Sequence, residues 1–134
     1  MEQQLRVLRI VHAAMLAAAV LYIFLPETVN RDRVEEPSQL TYLAVAVMAA
    51  FSVGAALMVR QTMVSRALET LQLHPEDGAS LKRWFSGNMI LFALCESVVV
   101  YGLALRFIGA TWVQVAPFYA AGIILLLLFA PRKP

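Results

Sequence analysis

Four long runs of apolar residues, separated by shorter polar segments, make up most of this chain. They cover about residues 8–25, 40–59, 88–107 and 112–129. A helix of about 20 residues reaches about 30 Å, which is the thickness of the hydrocarbon core of a bilayer. The pattern therefore predicts an all-α, polytopic membrane protein with four transmembrane helices, folded as a single membrane domain over residues 1–134.

The polar segment between the second and third runs, residues 60–87, has a pattern of its own. We expect it to be a cytoplasmic loop whose first part keeps the periodicity of a helix, so that the second helix continues beyond the membrane. Its apolar residues fall on one face: Met63, Val64, Ala67, Leu68 and Leu71. Residues 74–78 then combine proline, glycine and two acids, which predicts a turn.

The ends of the other runs follow from local signals. The first run is followed by Pro26 and Glu27, and a proline next to a charge predicts the end of the first helix there. Only the short segment 109–111 separates the third and fourth runs, so these helices are predicted to be antiparallel neighbours. Pro117 lies early in the fourth run, where it either kinks the helix or occupies a position near its start.

Composition and charge fit this interpretation. The chain is 60% hydrophobic and 15% charged, with a mean hydropathy of +0.70. The net charge is +2, and the basic residues are scattered over short segments rather than gathered on one face. Nucleic acid is therefore not an expected partner. The expected partners are the lipid bilayer and either further copies of the chain or other membrane subunits.

Lysine and arginine residues are distributed unequally between the two sides of the predicted bundle. One side holds Arg6, Arg9, Arg60, Arg66, Lys82, Arg83, Arg132 and Lys133, whereas the other holds Arg31, Arg33 and Arg106. Cytoplasmic segments retain positive charge during insertion. We therefore expect a multi-pass protein of a bacterial-type inner (plasma) membrane with both termini in the cytoplasm.

Few residues have the chemistry of a catalytic site. The sequence has no metal-binding motif, no phosphate-binding glycine loop and no nucleophile–base pair, so we expect neither an enzyme nor a cofactor. His12 lies near the start of the first run, where an interfacial histidine is favoured over a proton relay. Cys95 lies within an apolar run and is expected to pack as a small hydrophobe.

Glu96 is the exception, because it lies in the middle of the third run. A carboxylate at the centre of a bilayer costs on the order of 3 kcal/mol to insert and is by default a candidate functional group. Large apolar residues share its helix face, and such surroundings favour the neutral, protonated carboxyl. The alternative is a neutral or ion-paired carboxyl that only holds helices together.

The residues around Glu96 carry a resemblance to a known family. The stretches Arg66-Ala67-Leu68-Glu69, Pro75-Glu76, Ala93-Leu94-Cys95-Glu96 and Tyr101-Gly102-Leu103 resemble the hairpin of the rotary ATP synthase c subunit over about residues 44–107. The resemblance implies that Glu96 binds the translocated ion. Ser97 and Tyr101 occupy positions that some sodium-binding members use, but no matching glutamine is present in the preceding helix, which favours a proton.

Small residues extend the resemblance into helix packing. Ala46, Ala50 and Gly54 in the second run are similar to the glycine-rich inner helix of that family, and Ala93 and Gly102 lie in the third run. Small residues allow helices in lipid to approach closely. They are expected either to join neighbouring copies or to pack helices within one copy.

Two features depart from the family. Its Arg-Gln-Pro loop reads Leu73-His74-Pro75 here, and additional helices flank the hairpin. In addition, Arg60 and Glu96 are equally far from Gly78 along the chain, so they could form an ion pair, although a register taken from the membrane edges would separate them. A permanent ion pair would favour a structural role.

These observations lead to one expected function and two alternatives. We expect a non-enzymatic integral membrane subunit of a homo-oligomer or of a larger membrane complex, with proton binding at Glu96. The first alternative is a proton-translocating, rotary-type component resembling a c-ring. The second is a purely structural accessory subunit of a respiratory or transport complex.

Overall fold

A computed structural model describes residues 1–28 and 36–132, and within these ranges the chain is helical with no β-strand. The elements are α1 (Glu2–Thr28), α2 (Gln39–Val59), a π-helical segment (Arg60–Ser65), α3 (Arg66–Leu73), α4 (Gly78–Phe107) and α5 (Trp112–Leu128). The predicted all-helical fold is thus confirmed for the described ranges. Arg31, Arg33 and Lys133, which entered the charge count, lie outside the described residues.

Three helical stretches are long and apolar enough to cross a membrane: Glu2–Thr28, Gln39–Leu73 and Gly78–Phe107. The fourth, α5, has 17 residues, and at the α-helical rise it is about 25 Å long, somewhat less than a typical hydrocarbon core. Thr111 and Gln114 fix the start of α5 with a capping box. Gly109, with a φ of 108°, makes the sharp reversal before it.

Helix α4 is the centre of the bundle, because α1, α2, the π-helical segment, α3 and α5 all pack against it. Its buried residues therefore point in several directions rather than along one stripe, as expected for a central helix. Glycines permit the closest approaches. A Cβ at Gly102 would lie 2.9 Å from the Cβ of Phe118 in α5, and one at Gly87 would lie 3.0 Å from the Cβ of Met63.

The ends of the helices define an alternating up-and-down arrangement. Glu27 at the end of α1 forms an ion pair with Arg106 near the end of α4, with an Oε1–Nε distance of 2.9 Å. At the same end, the hydroxyl of Tyr42 in α2 donates to the carbonyl of Gln114 in α5 at 2.9 Å. Helices α1 and α4 therefore run in one direction, and α2 and α5 run in the other.

Pro26 predicted that the first helix ends at about residue 25, but the helix is longer than this. Helix α1 continues through Pro26 to Thr28. Proline in the last turn removes only one helical hydrogen bond, and Pro26 is buried. The charge of Glu27 is accommodated by Arg106. A tertiary ion pair, which the local sequence does not reveal, thus extends the helix beyond its expected end.

Residues 60–87 form a helical hairpin rather than an open loop. The helix that begins as α2 continues to Leu73, as predicted, and α4 already begins at Gly78, well before residue 88. Asp77 caps α4, since its carboxylate accepts hydrogen bonds from the amide of Ala79 at 3.2 Å and from the hydroxyl of Ser80 at 2.6 Å. The Ser80 hydrogen bond is the main reason that the pKa of Asp77 lies below its usual value.

The π-helical segment was not anticipated from the periodicity, which predicted an uninterrupted α-helix. It begins at Arg60, and within it the Thr62 hydroxyl donates at 2.8 Å to the carbonyl of Met58, which lies just before the segment. Such back-bonding and π-helical turns both alter the direction and register of a helix. The segment therefore determines which residues of the α2–α3 stretch face α4.

Candidate functional site

Glu96 lies on α4 in a groove between α4 and α1. The groove has a volume of about 340 Å³ and is lined by Met15 and Tyr22 from α1 and by Ala93, Glu96, Ser97, Val100 and Tyr101 from α4. The three residues expected to bind an ion, Glu96, Ser97 and Tyr101, are thus brought to one place. All three are partly buried, so the site opens onto the surface of the bundle.

The side chains around Glu96 offer hydroxyl groups rather than charges. The Ser97 hydroxyl donates to the carbonyl of Ala93 at 2.8 Å, which leaves its oxygen able to accept a hydrogen bond. Tyr22 and Tyr101 contribute phenol groups to the groove lining. Within the described ranges, the Glu96 carboxyl forms no ion pair and no hydrogen bond to the protein, and no basic residue lines its groove.

Tyr22 was not among the sequence-predicted site residues. It lies in the apolar run of α1, where an isolated tyrosine carries no pattern of its own. It reaches the groove because α1 runs parallel to α4, so that residues at similar distances from the two helix starts are level. The pairing of α1 with α4 is a tertiary feature, and only that pairing identifies Tyr22.

Arg60, the candidate partner of Glu96, lies elsewhere. Its guanidinium carbon is 4.8 Å from the centre of the Phe129 ring, and it lines a different cavity. Arg106 pairs with Glu27 at 2.9 Å, and His74 Nδ1 lies 3.9 Å from Glu76 Oε1, but neither contact involves Arg60 or Glu96. The alternative in which Arg60 neutralises Glu96 is therefore not realised in this structure.

The register between the helices explains this separation. Gly87 lies against Met63 and Val64, so counting back from that contact places Glu96 level with about Ala55. Arg60 lies five residues from Ala55, which is about 7 Å along a helix. The observed register falls between the two that the sequence allowed, one counted from Gly78 and one from the membrane edges.

The small residues expected to pack helices occupy different environments. Gly102 is buried against Phe118 and Tyr119 of α5. Ala46 is partly buried, whereas Ala50, Gly54 and Ala93 are exposed on the bundle surface. Sequence reasoning missed two other small residues at buried positions: Ala49 in α2, and Gly122 in α5, whose Cβ position meets the side chain of Val99.

His12 and Cys95 are both buried, and neither lines the Glu96 groove. The Nε2 of His12 is 2.5 Å from the carbonyl oxygen of Leu126 in α5, and its ring lies against that of Phe92, with a centroid distance of 5.1 Å. His12 therefore joins α1 to α5 inside the bundle. Cys95 packs among apolar residues, as expected.

In residues 1–28 and 36–132, no three histidine, cysteine, aspartate or glutamate side chains are close enough to hold a metal ion. Comparisons of the chain with models of known families, with curated proteins and with solved structures give no match. The resemblance to c subunits thus rests on the sequence motif around Glu96.

Proposed function

We propose that this chain is a non-enzymatic subunit of a membrane complex, either a homo-oligomer or a larger assembly, in which Glu96 binds a proton. The observation that carries the proposal is the placement of an unpaired carboxyl in a laterally open groove midway along the central helix. In the c-subunit-like interpretation, α2 with α3 and α4 form the hairpin. The other helices would then be additions to it.

The groove supports reversible protonation better than a fixed structural role. An ionised carboxylate in lipid is costly, so Glu96 is neutral until a polar or charged group approaches from the open side. The hydroxyl groups of Ser97, Tyr22 and Tyr101 lie close enough to line the same space. The Tyr22 and Tyr101 hydroxyls would donate to the carboxylate when the proton leaves, without neutralising it permanently, whereas the Ser97 oxygen would accept a hydrogen bond from the protonated carboxyl.

The proposed topology has four crossings, with both termini in the cytoplasm. Helix α5 packs antiparallel along α4, from Gly102, which meets Phe118, to the cytoplasmic cavity that Phe129 and Asn88 both line. Its short length is compatible with crossing, because a bundle can thin the bilayer locally at modest cost. Insertion of α5 beside the long helices would also cover the apolar face of α4.

The face of α2 that points away from α4 supports association with another membrane subunit. Its exposed residues combine large apolar side chains with Ala50 and Gly54: Leu43, Val47, Phe51 and Met58. This alternation of bulky and small residues would allow a second helix to approach closely. A closed ring of copies would favour the rotary-type alternative, and one copy among unlike subunits would favour the accessory alternative.

Labelling with a hydrophobic carbodiimide, which attacks protonated carboxyl groups in membranes, tests the proton site. We expect mass spectrometry of wild-type membranes at neutral pH to find the label on Glu96. Glu69, exposed on α3, should remain unlabelled, because a hydrophobic reagent concentrates in the membrane. Replacing Glu96→Gln should abolish the label.

The variant Arg60→Gln provides the decisive control. Because Arg60 lies over Phe129 and not beside Glu96, its replacement should leave the rate of Glu96 labelling unchanged within about twofold. Labelling that appears only in Arg60→Gln would instead show an ion pair. If Glu96 were unlabelled in both proteins at every pH at which the fold survives, the proton site would be wrong.

A further inference from the structure

We propose that a second cavity, at the end of the bundle where α2 meets the π-helical segment, binds a phosphate-bearing anion. The cavity has a volume of about 180 Å³. Its lining includes two arginines, two other polar residues and two aromatic residues: Arg60, Arg132, Ser65, Asn88, Trp84 and Phe129. It shares no residue with the Glu96 groove.

The charges of this cavity are unbalanced. Arg60 comes from the start of the π-helical segment and Arg132 from the chain beyond α5, so two distant parts of the sequence place positive charge around one space. No acidic residue of the described chain lines the cavity, and neither arginine forms an ion pair there. Two arginines without a carboxylate partner favour an anionic ligand.

The orientation of Arg60 suits such a ligand. The guanidinium carbon of Arg60 lies over the Phe129 ring, 4.8 Å from its centre, so a cation–π contact holds the group beside the cavity. The Arg60 side chain forms no ion pair or hydrogen bond with the described residues. Its N–H donors are therefore available for a bidentate contact with phosphate oxygens.

Neutral donors complete the cavity. Asn88 is only 3% exposed, and one of its amide hydrogens goes to the carbonyl of Trp84 at 2.8 Å. This hydrogen bond fixes the Asn88 side chain next to Trp84, which is fully buried. Ser65 adds a hydroxyl from the last residue of the π-helical segment. π-Helical turns are frequent at functional sites, because they redirect side chains.

The position of the cavity indicates the source of the phosphate. It lies at the end of the bundle that also carries Arg66, Lys82 and Arg83, next to the long apolar stretch of α2. Basic pockets between membrane helices on the cytoplasmic side suit the headgroups of anionic lipids. A phospholipid would place its phosphate between Arg60 and Arg132 and its acyl chains along the bundle, whereas free phosphate would use the arginines alone.

The test uses the full chain, purified and delipidated in a nonionic detergent at constant ionic strength. Thermal unfolding is followed while phosphatidylglycerol, phosphatidylcholine or inorganic phosphate is titrated, and native mass spectrometry counts retained lipid. We expect phosphatidylglycerol to raise the Tm in a saturable way and phosphatidylcholine not to. Equal stabilisation by inorganic phosphate would support the anion site but assign it to a free anion.

Three arginine variants separate the site from general surface charge. We expect Arg60→Gln and Arg132→Gln each to weaken the apparent affinity for phosphatidylglycerol by about tenfold, because each removes a charge-assisted contact. Arg66→Gln removes the same charge from an exposed position outside the cavity, and should change the affinity by less than twofold. Arg132 lies beyond α5, so its replacement does not disturb a packed helix.

Two results would overturn the proposal. One is the absence of saturable stabilisation by either phosphatidylglycerol or inorganic phosphate. The other is an equal loss of affinity in Arg66→Gln and Arg132→Gln, which would indicate attraction to the basic surface only. Since Glu96 labelling is measured separately, a negative result here leaves the proton site unaffected, and the reverse also holds.

Discussion

The contact between α4 and α5 and the outward face of α2 both contain small residues, but they use them differently. Between α4 and α5, Gly102 and Gly122 leave no room for a methyl group. On α2, a Cβ at Gly54 would meet nothing within 4 Å. The α4–α5 contact is closed within one copy, whereas nothing in residues 1–28 or 36–132 packs against Gly54 on the α2 face. Small residues in a membrane helix can thus indicate either a contact within one copy or a surface open to another helix, and only the tertiary structure distinguishes the two.

Among the variants that test this difference, Gly122→Ala in the α4–α5 contact is expected to change the free energy of unfolding most. The added methyl would overlap the side chain of Val99 and approach its amide nitrogen to 3.1 Å and the Cys95 carbonyl oxygen to 3.2 Å. Because two of these neighbours are backbone atoms, the helices must separate. We expect a loss of about 1–3 kcal/mol in the free energy of unfolding.

Denaturation in mixed micelles, monitored by circular dichroism, measures this loss. Gly54→Ala is the matched control, because it adds the same methyl group at a position that is open within the chain. It should be neutral or slightly stabilising, since alanine favours the helix more than glycine does. Equal destabilisation by the two variants would show that α4 and α5 are not packed as described.

Much of the fold could be predicted from the sequence because hydrophobic runs and turn residues are local signals. The continuation of α2 into α3 and the turn before Gly78 follow from residues close together in the chain. The end of α1 did not follow, because Glu27 is stabilised by Arg106, 79 positions away. The π-helical segment could not be predicted either, because the apolar periodicity gives no sign of it.

The candidate site was predictable in part for the same reason. Ser97 and Tyr101 are four residues apart on one helix and therefore share a face, and Glu96 directly precedes Ser97, so that the three lie close together could be predicted from the local sequence. Tyr22 and the separation of Arg60 from Glu96 depend on how helices pair and in which register. Register in a bundle is set by side-chain packing, such as Gly87 against Val64, which a single sequence does not specify.

A second prediction concerns how the α4–α5 pair is held to α1. His12 approaches the carbonyl of Leu126, which lies in the last turn of α5, where carbonyl groups lack helical partners. Replacing His12→Phe keeps a ring against Phe92 but removes the donor. We expect a loss of about 1 kcal/mol, the typical net contribution of a buried hydrogen bond.

The same denaturation assay measures this effect, with Val11→Ala as a comparison for loss of packing on the neighbouring, partly buried position. His12→Gln, which retains a donor, should recover part of the stability. If His12→Phe were as stable as the wild type at pH 7, the imidazole would not be satisfying the Leu126 carbonyl. The α1 helix would then be held by apolar contacts alone.

The smallest effect on the stability of one copy is expected at the outward face of α2, where Gly54→Leu should change the free energy of unfolding by less than about 0.5 kcal/mol. A surface position without close neighbours tolerates most substitutions.

The effect of Gly54→Leu on assembly should be much larger. If another helix packs against Ala50 and Gly54, a leucine forces the two backbones apart in a medium with no hydrophobic effect to hold them together. Gly54→Ala separates bulk from helix propensity, because both substitutions improve propensity but only leucine adds a large side chain. Size-exclusion chromatography with light scattering in mild detergent should therefore show wild-type assembly for Gly54→Ala and smaller particles for Gly54→Leu. Unchanged assembly of Gly54→Leu would mean that this face contacts lipid, so that any association of copies must use another surface of the bundle.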